Sequence, residues 1–406
     1  FLKETFFFIF LVQLIFFFKN FKRIKKKLNF KYKNDKKIIF LLLFFLFLIS
    51  ILPLSDADSI SIYQFLPTTI FFEGLENINL QQNLEFTLLS NSEILFLISP
   101  ILKSDNFGSQ LNIITLVFFI FLNLKKHKNF SLIILSCPLI IYFISAQKLQ
   151  LFFAIIFILL FIIINKNFLK KKSELFIFIL LLTFYSSGKI SYILFSIPLF
   201  IYFFYENFKN WKSIFLYSII SFIIVYSPLL IIKYQYFGNI FAPFFDVIFG
   251  DNLEIYNAFA YHIRWSEGWI STPDEYSIYL RPFISFDISK LSSSLGLIFL
   301  LMLINFKLQK KTKFIPLILI ILVMITGQIL PRYYFESFLL LAYYYQPKKI
   351  LAQLLLYGQL SVVILISIVY IYFSYIKFEV ITDKLKYMNR FTYSFFNSEQ
   401  SKLYNL

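Results

Sequence analysis

The chain has 406 residues, of which 59% are hydrophobic and only 15% charged. That is too little polar surface to cover a soluble fold of this length, and apolar runs recur from end to end between short charged patches, as in an all-α, polytopic membrane protein. A net charge of +17 would suit nucleic acid, but the basic residues gather at the ends of apolar runs, as orientation signals do, so nucleic acid is excluded as a partner. One cysteine, Cys137, and two distant histidines, His127 and His262, leave no intrachain disulfide and no Cys- or His-based metal site.

Taken in chain order, the run 6–18 reads as a first crossing and not as a cleaved signal, because a basic block follows it instead of preceding it. That block, "KNFKRIKKKLNFKYKNDKK" (19–37), carries ten Lys/Arg against one Asp and belongs on the cytoplasmic side. The patches 125–128, 166–172, 206–212, 307–313 and 348–349 join it there, and the six together hold 25 of the 39 basic residues. Threading between them predicts about twelve transmembrane helices, at roughly 6–18, 38–54, 109–124, 130–145, 149–164, 175–187, 190–205, 213–232, 292–306, 314–330, 333–346 and 350–376.

The segments left outside include two larger extracytoplasmic loops. Loop 55–108 holds seven acids and one lysine, and loop 233–291 holds seven acids and four basic residues. Within the first, "EILFLISPIL" (93–102) is apolar but too short to cross, so it reads as a helix lying in the outer interface. "GN" at 238–239, followed by Pro243, is a turn signal just beyond the span that ends near Ile232. No internal repeat is visible. The reading is one membrane domain over 1–406, with a tail at 377–406 on the outer side.

Two stretches carry a resemblance. From Asp58 the sequence runs "DSISIYQFLPTTIFFEG", with Pro67 nine residues on and Gly74 sixteen on. This is similar, without a gap, to the first-loop pattern of bacterial membrane enzymes of the C-type (GT-C) glycosyltransferase superfamily. That pattern also has a Tyr-His pair, where this chain has Ile62 and Tyr63. The second stretch, "KYQYFGNIFAPFFDVIFG" (233–250), resembles the "GNPxxPF" segment of the same proteins at Gly238, Asn239, Pro243 and Phe244, and lacks its first proline. Weaker echoes are "SSGKISYILF" (186–195) and "PRYYFESFLLLA" (331–342). The resemblance implies transfer of a sugar from a polyprenyl-phosphate carrier to an acceptor on the outer side of the membrane, with inversion, an acid in the first outer loop serving as base. Many relatives carry a second acid after the next outer turn. Here that turn, "SAQKLQ" (145–150), offers Lys148 and Gln150, so a divalent metal has no support and no cofactor is expected.

Chemistry assigns roles to particular residues. Transfer to a hydroxyl needs one carboxylate to take the acceptor's proton, since a lipid phosphate leaves without one. Asp58 fits that role, with Asp56 beside it, although a solvated helix terminus would also place acids there. "DAD" (56–58) also spells the Asp-x-Asp of nucleotide-sugar enzymes, but nucleotide sugars are cytoplasmic and this loop is predicted outside. Lys189 and Arg332, at predicted outer ends of spans, suit the donor phosphate, as does Lys148 in the outer turn; each would equally serve as a snorkelling anchor. Tyr63, Trp265 and Trp269 offer aromatic faces for an acceptor sugar, or form part of an interfacial aromatic belt. The partners expected are therefore a polyprenyl-phosphate-linked sugar donor, a glycan, lipid or protein acceptor of the cell envelope, and membrane lipid, with the chain in a bacterial inner membrane. The alternatives are a transporter or flippase of lipid-linked glycans, which should show broken helices and related halves, and an O-antigen-type polymerase or ligase, whose large loop concentrates arginines where 233–291 has only Arg264 and Arg281.

Overall fold

The computed structural model describes residues 33–52, 66–73, 90–102, 104, 106–123, 128–146, 148–166, 168–169, 171–189, 191–241, 282–283, 294–304, 314–325 and 330–377. Among the described residues the secondary structure is entirely helical. In chain order the helices are α1 (Lys33–Ser50), α2 (Leu66–Glu73), α3 (Asn91–Leu95), α4 (Ile98–Leu102), α5 (Phe107–Asn123), α6 (Lys128–Leu135), α7 (Leu139–Ser145), α8 (Gln150–Asn165), α9 (Lys172–Ser187), α10 (Tyr192–Glu206), α11 (Trp211–Phe237), α12 (Leu297–Ile304), α13 (Phe314–Ile325), α14 (Phe335–Tyr344) and α15 (Ile350–Tyr372).

Helix α8 lies at the centre. Its sequence, "QLFFAIIFILLFIIIN", has no charge over 16 residues and no polar face, and a helix that is apolar all round has to be enclosed by others. It packs against α5, α7, α9 and α14. Aromatic rings fill the seams: Phe157 packs on Tyr185 of α9 with centroids 5.4 Å apart, and Phe178 of α9 stacks on Phe203 of α10 at 4.4 Å. Such pairs add attraction beyond area alone, which is how a chain with 58 phenylalanines closes its core.

The outer helices invert the soluble pattern. Phe40, Phe44 and Phe47 of α1, Phe215 and Ile223 of α11, and Leu354 and Leu365 of α15 are exposed. Among the described residues two helices are long and apolar enough to cross a membrane, over Phe208–Gln235 and Ile350–Ile376; Asn91–Leu102 and Phe107–Asn123 make a third if taken together across their 110° bend. The others are shorter. At 1.5 Å per residue α8 spans roughly 24 Å, less than the ~30 Å of a hydrocarbon core.

Local signals explain the ends. α9 starts where the backbone N–H of Lys171 donates to the Glu174 carboxylate at 2.9 Å, an acid placed well for the helix dipole. α11 stops at Gly238, whose φ of 66° is left-handed and whose N–H donates to the Tyr234 carbonyl at 2.9 Å. Asn239 then accepts the Phe241 N–H at 2.8 Å, so the turn falls at the predicted Gly-Asn, and α11 runs five residues past the predicted end of the span.

Some predicted elements differ from what forms. The interfacial segment 93–102 is two single-turn helices, α3 and α4, joined at Phe96, which is fully buried. The continuous crossing predicted at 130–145 is broken between α6 and α7 at Ser136–Pro138. Pro138 has no N–H to donate, and the break is bridged from outside. Gln359 of α15 donates to the carbonyls of Ser136 (2.7 Å) and Leu295 (3.0 Å) and accepts the Ile298 N–H (2.9 Å), while Leu139 N–H donates to the Ser294 carbonyl at 3.0 Å.

Candidate functional site

Three cations from three different connections meet at one end of the bundle. Lys148 lies in the turn between α7 and α8, Lys189 just past the end of α9, and Arg332 in the 3-10 turn Pro331–Tyr333 that precedes α14.

The Lys148 turn is shaped by Asn112, a fully buried amide in the apolar helix α5. Its Nδ2 donates to the carbonyls of Phe143 and Lys148, both at 2.7 Å, and its Oδ1 accepts the Phe152 N–H at 3.0 Å. One side chain thus satisfies backbone groups from both ends of the turn, which buried peptide groups require.

The end of α9 is held from several sides. Ser90 Oγ donates to the Gly188 carbonyl at 2.6 Å, and Asn91 Nδ2 donates to Ser187 Oγ (2.7 Å) and to the Val225 carbonyl of α11 (3.0 Å). Ser90 N–H in turn donates to the Glu93 carboxylate at 2.8 Å. Gly188 is required by contact: a Cβ there would come within 2.4 Å of the Phe153 ring of α8. From inside, Tyr185 Oη donates to Oε1 of the buried Glu336 in the first turn of α14, at 3.1 Å.

The cations organise around two phenols. Lys148 Nζ donates to Tyr142 Oη at 2.6 Å and Arg332 Nη1 to the same oxygen at 2.9 Å. Arg332 Nη2 donates to Tyr333 Oη at 3.1 Å, and Lys189 Nζ sits 5.0 Å from the centroid of the Tyr333 ring, within cation–π range. A phenol oxygen has two acceptor positions and one proton. On Tyr142 both acceptor positions are used, which leaves its O–H to donate.

Tyr333 stands in the 3-10 turn ahead of α14, outside the helix that forms within the span predicted at 333–346, and registers this charge. Burial alone would raise its phenol, but the positive charges of Lys189, of Arg332 with its hydrogen bond, and of Lys148 outweigh burial and bring it down to about 8. The arrangement has the chemistry that suits an anion: lysine point charges, a guanidinium of the kind that can grip two oxygens, and phenol O–H groups.

Of the residues singled out in the sequence, Lys148, Lys189 and Arg332 are thus brought together. Asp56, Asp58, Tyr63, Trp265 and Trp269 lie outside the described residues. Sequence reasoning missed Tyr142, Tyr333, Asn112 and Glu336. Glu336 carried a usable signal, being a carboxylate in the first turn of an apolar segment; Tyr142 carried none, since tyrosine is common wherever such segments end. Among the described residues no three His, Cys, Asp or Glu side chains gather as metal ligands. No protein-family model matches the chain, and no curated protein or solved structure matches it either.

Proposed function

We propose that the protein is a membrane-embedded glycosyltransferase of the GT-C kind, built of about twelve spans, that moves a sugar from a polyprenyl-phosphate carrier to an envelope glycan, lipid or protein acceptor on the outer side of a bacterial inner membrane. The observation that carries this reading is the meeting of Lys148, Lys189 and Arg332 around Tyr142 and Tyr333, at the helix ends that the positive-inside pattern assigns to the outside. A lipid-linked donor presents one phosphate at that depth, and its leaving charge needs fixed cations that do not have to reorganise during reaction. The apolar exterior of α1, α11 and α15 supports lipid as the surrounding medium.

In this mechanism the acceptor hydroxyl attacks the anomeric carbon from the face opposite the phosphate, and inversion follows. Asp58 takes the acceptor's proton. Lys189, Lys148 and Arg332 hold the phosphate and take up the charge that develops on it as the glycosidic bond breaks. Tyr142 donates its O–H to the same group, and Tyr63, Trp265 and Trp269 offer faces for the acceptor. Asp58→Asn should abolish sugar transfer from a polyprenyl-phosphate donor in reconstituted vesicles, while expression and donor binding stay as in the parent. Full transfer by that variant would remove Asp58 from the mechanism, and unchanged donor binding in Arg332→Met would remove the phosphate site.

A flippase of lipid-linked glycans is the second reading, favoured by the break between α6 and α7, since transporters use discontinuous helices. Here the polar groups of the break are taken up by Gln359 and residues 294–298, which supports a packing role for it. Movement of a labelled lipid-linked glycan across vesicles without sugar transfer would decide for this alternative.

A further inference from the structure

Glu336 carries a carboxyl group with 2% exposure on a helix whose Phe335, Phe338 and Leu340 are buried as well, and Tyr185, its hydrogen-bond partner, is fully buried. Burying such a group in apolar surroundings is costly unless a partner compensates, so its position calls for a reason beyond filling space. Its place in the two helices provides one. Tyr185 lies four residues before Lys189, and Glu336 four residues after Arg332. The bond between them, 3.1 Å long, joins two segments 151 residues apart in sequence, at the points where each is about to present its cation. The Tyr185 ring is itself fixed, stacked on Tyr192 with centroids 4.9 Å apart and packed on Phe157 at 5.4 Å, so the bond transmits position instead of letting the ring turn. We propose that the Tyr185–Glu336 pair is a positioning brace, which sets the separation between Lys189 and the Arg332–Tyr333 turn and so sizes the gap to one phosphate group.

This inference rests on the phosphate reading of the cluster, and its test is built so that the two fail separately. The full chain in detergent is titrated with a polyprenyl monophosphate, and the Tyr333 phenol is followed by its ultraviolet difference spectrum against Tyr333→Phe. Tyr185→Phe removes one hydroxyl and keeps the ring stack. Glu336→Gln keeps the carbonyl acceptor for Tyr185. Tyr185→Phe should weaken binding roughly tenfold and move the Tyr333 midpoint upward as Lys189 drifts from the ring, whereas Glu336→Gln should hold affinity within about threefold and leave the midpoint in place. Thermal unfolding of each variant separates this from general loosening, which would lower stability without moving the midpoint. The brace is overturned if Tyr185→Phe leaves the midpoint unmoved, or if Glu336→Gln weakens binding as much as Tyr185→Phe does. Unchanged binding in Lys189→Met overturns the phosphate reading itself, and the Tyr333 midpoint in Tyr185→Phe still decides the brace.

Discussion

Tyr333 shows how much of the site's character rests on single side chains. An ordinary tyrosine ionises near 10, and burial raises that further; here Lys189, Arg332 and Lys148 together reverse the effect and bring it to about 8. The sign of the linkage follows. An anion bound among the same cations neutralises the charge that favours phenolate, so binding should raise the Tyr333 midpoint, and affinity should fall as pH climbs through about 8. Inorganic phosphate added to the protein in detergent, with the phenolate band followed against Tyr333→Phe, measures both. A midpoint indifferent to phosphate would mean that the anion is held elsewhere. The folded-state depression also means that Tyr333 contributes stability that is complete above the unfolded value and lost as pH falls through about 8.

At the scale of elements, the break between α6 and α7 repays attention because a proline in an apolar run does not by itself dictate one. Pro198 and Pro228 lie inside α10 and α11, which continue past them. At Pro138 the chain opens where residues from elsewhere pair with its freed groups: Gln359 of α15 donates to the Ser136 carbonyl, and the Ser294 carbonyl, in the segment leading into α12, accepts the Leu139 N–H. Gly296 makes the approach workable, having a φ of 89° and a position where a Cβ would come within 2.2 Å of the Gln359 amide. Gln359→Leu should strand the carbonyls of Ser136 and Leu295 and the N–H of Ile298, costing at least about 2 kcal/mol. Thermal unfolding in detergent checks this, and an unchanged midpoint would show that the break is satisfied some other way. The Lys148 turn depends on Asn112 by the same logic, a long-range amide serving backbone groups that no local sequence pattern announces.

For the whole molecule the decisive feature is the inverted surface, a dense aromatic core with large apolar side chains also facing outward on α1, α11 and α15. In lipid the hydrophobic effect no longer drives helices together, and close packing and buried hydrogen bonds take over. That suits a structure whose seams are ring contacts and whose connections are tied by Asn112, Gln359 and Glu336. The charge pattern predicts that the Lys209–Lys212 end of α11 faces the cytoplasm and its Gly238 end the outside. Cysteines placed singly at 209 and 240 in a Cys137→Ser background should react with a membrane-impermeant maleimide from opposite sides of sealed vesicles. Labelling of both from one side would undo the threading on which the site's outward placement depends.

The sequence by itself determined the helical class and much of the element order, because apolar runs and the residues that end them act within a few positions of themselves. Gly238–Asn239 ends α11 where the turn signal lies, and α5, α8, α9, α10 and α15 fall within the predicted runs to a few residues at either end. It also marked Lys148, Lys189 and Arg332 as cations at the ends of those runs. Only the tertiary structure decided that these three meet. The hydrogen bond from Arg332 to Tyr142 spans 190 residues of sequence, and that from Tyr185 to Glu336 spans 151. No spacing encodes such contacts; they arise from which helix faces pack around α8, a choice made by the shapes of buried rings together with the need of every enclosed polar group for a partner.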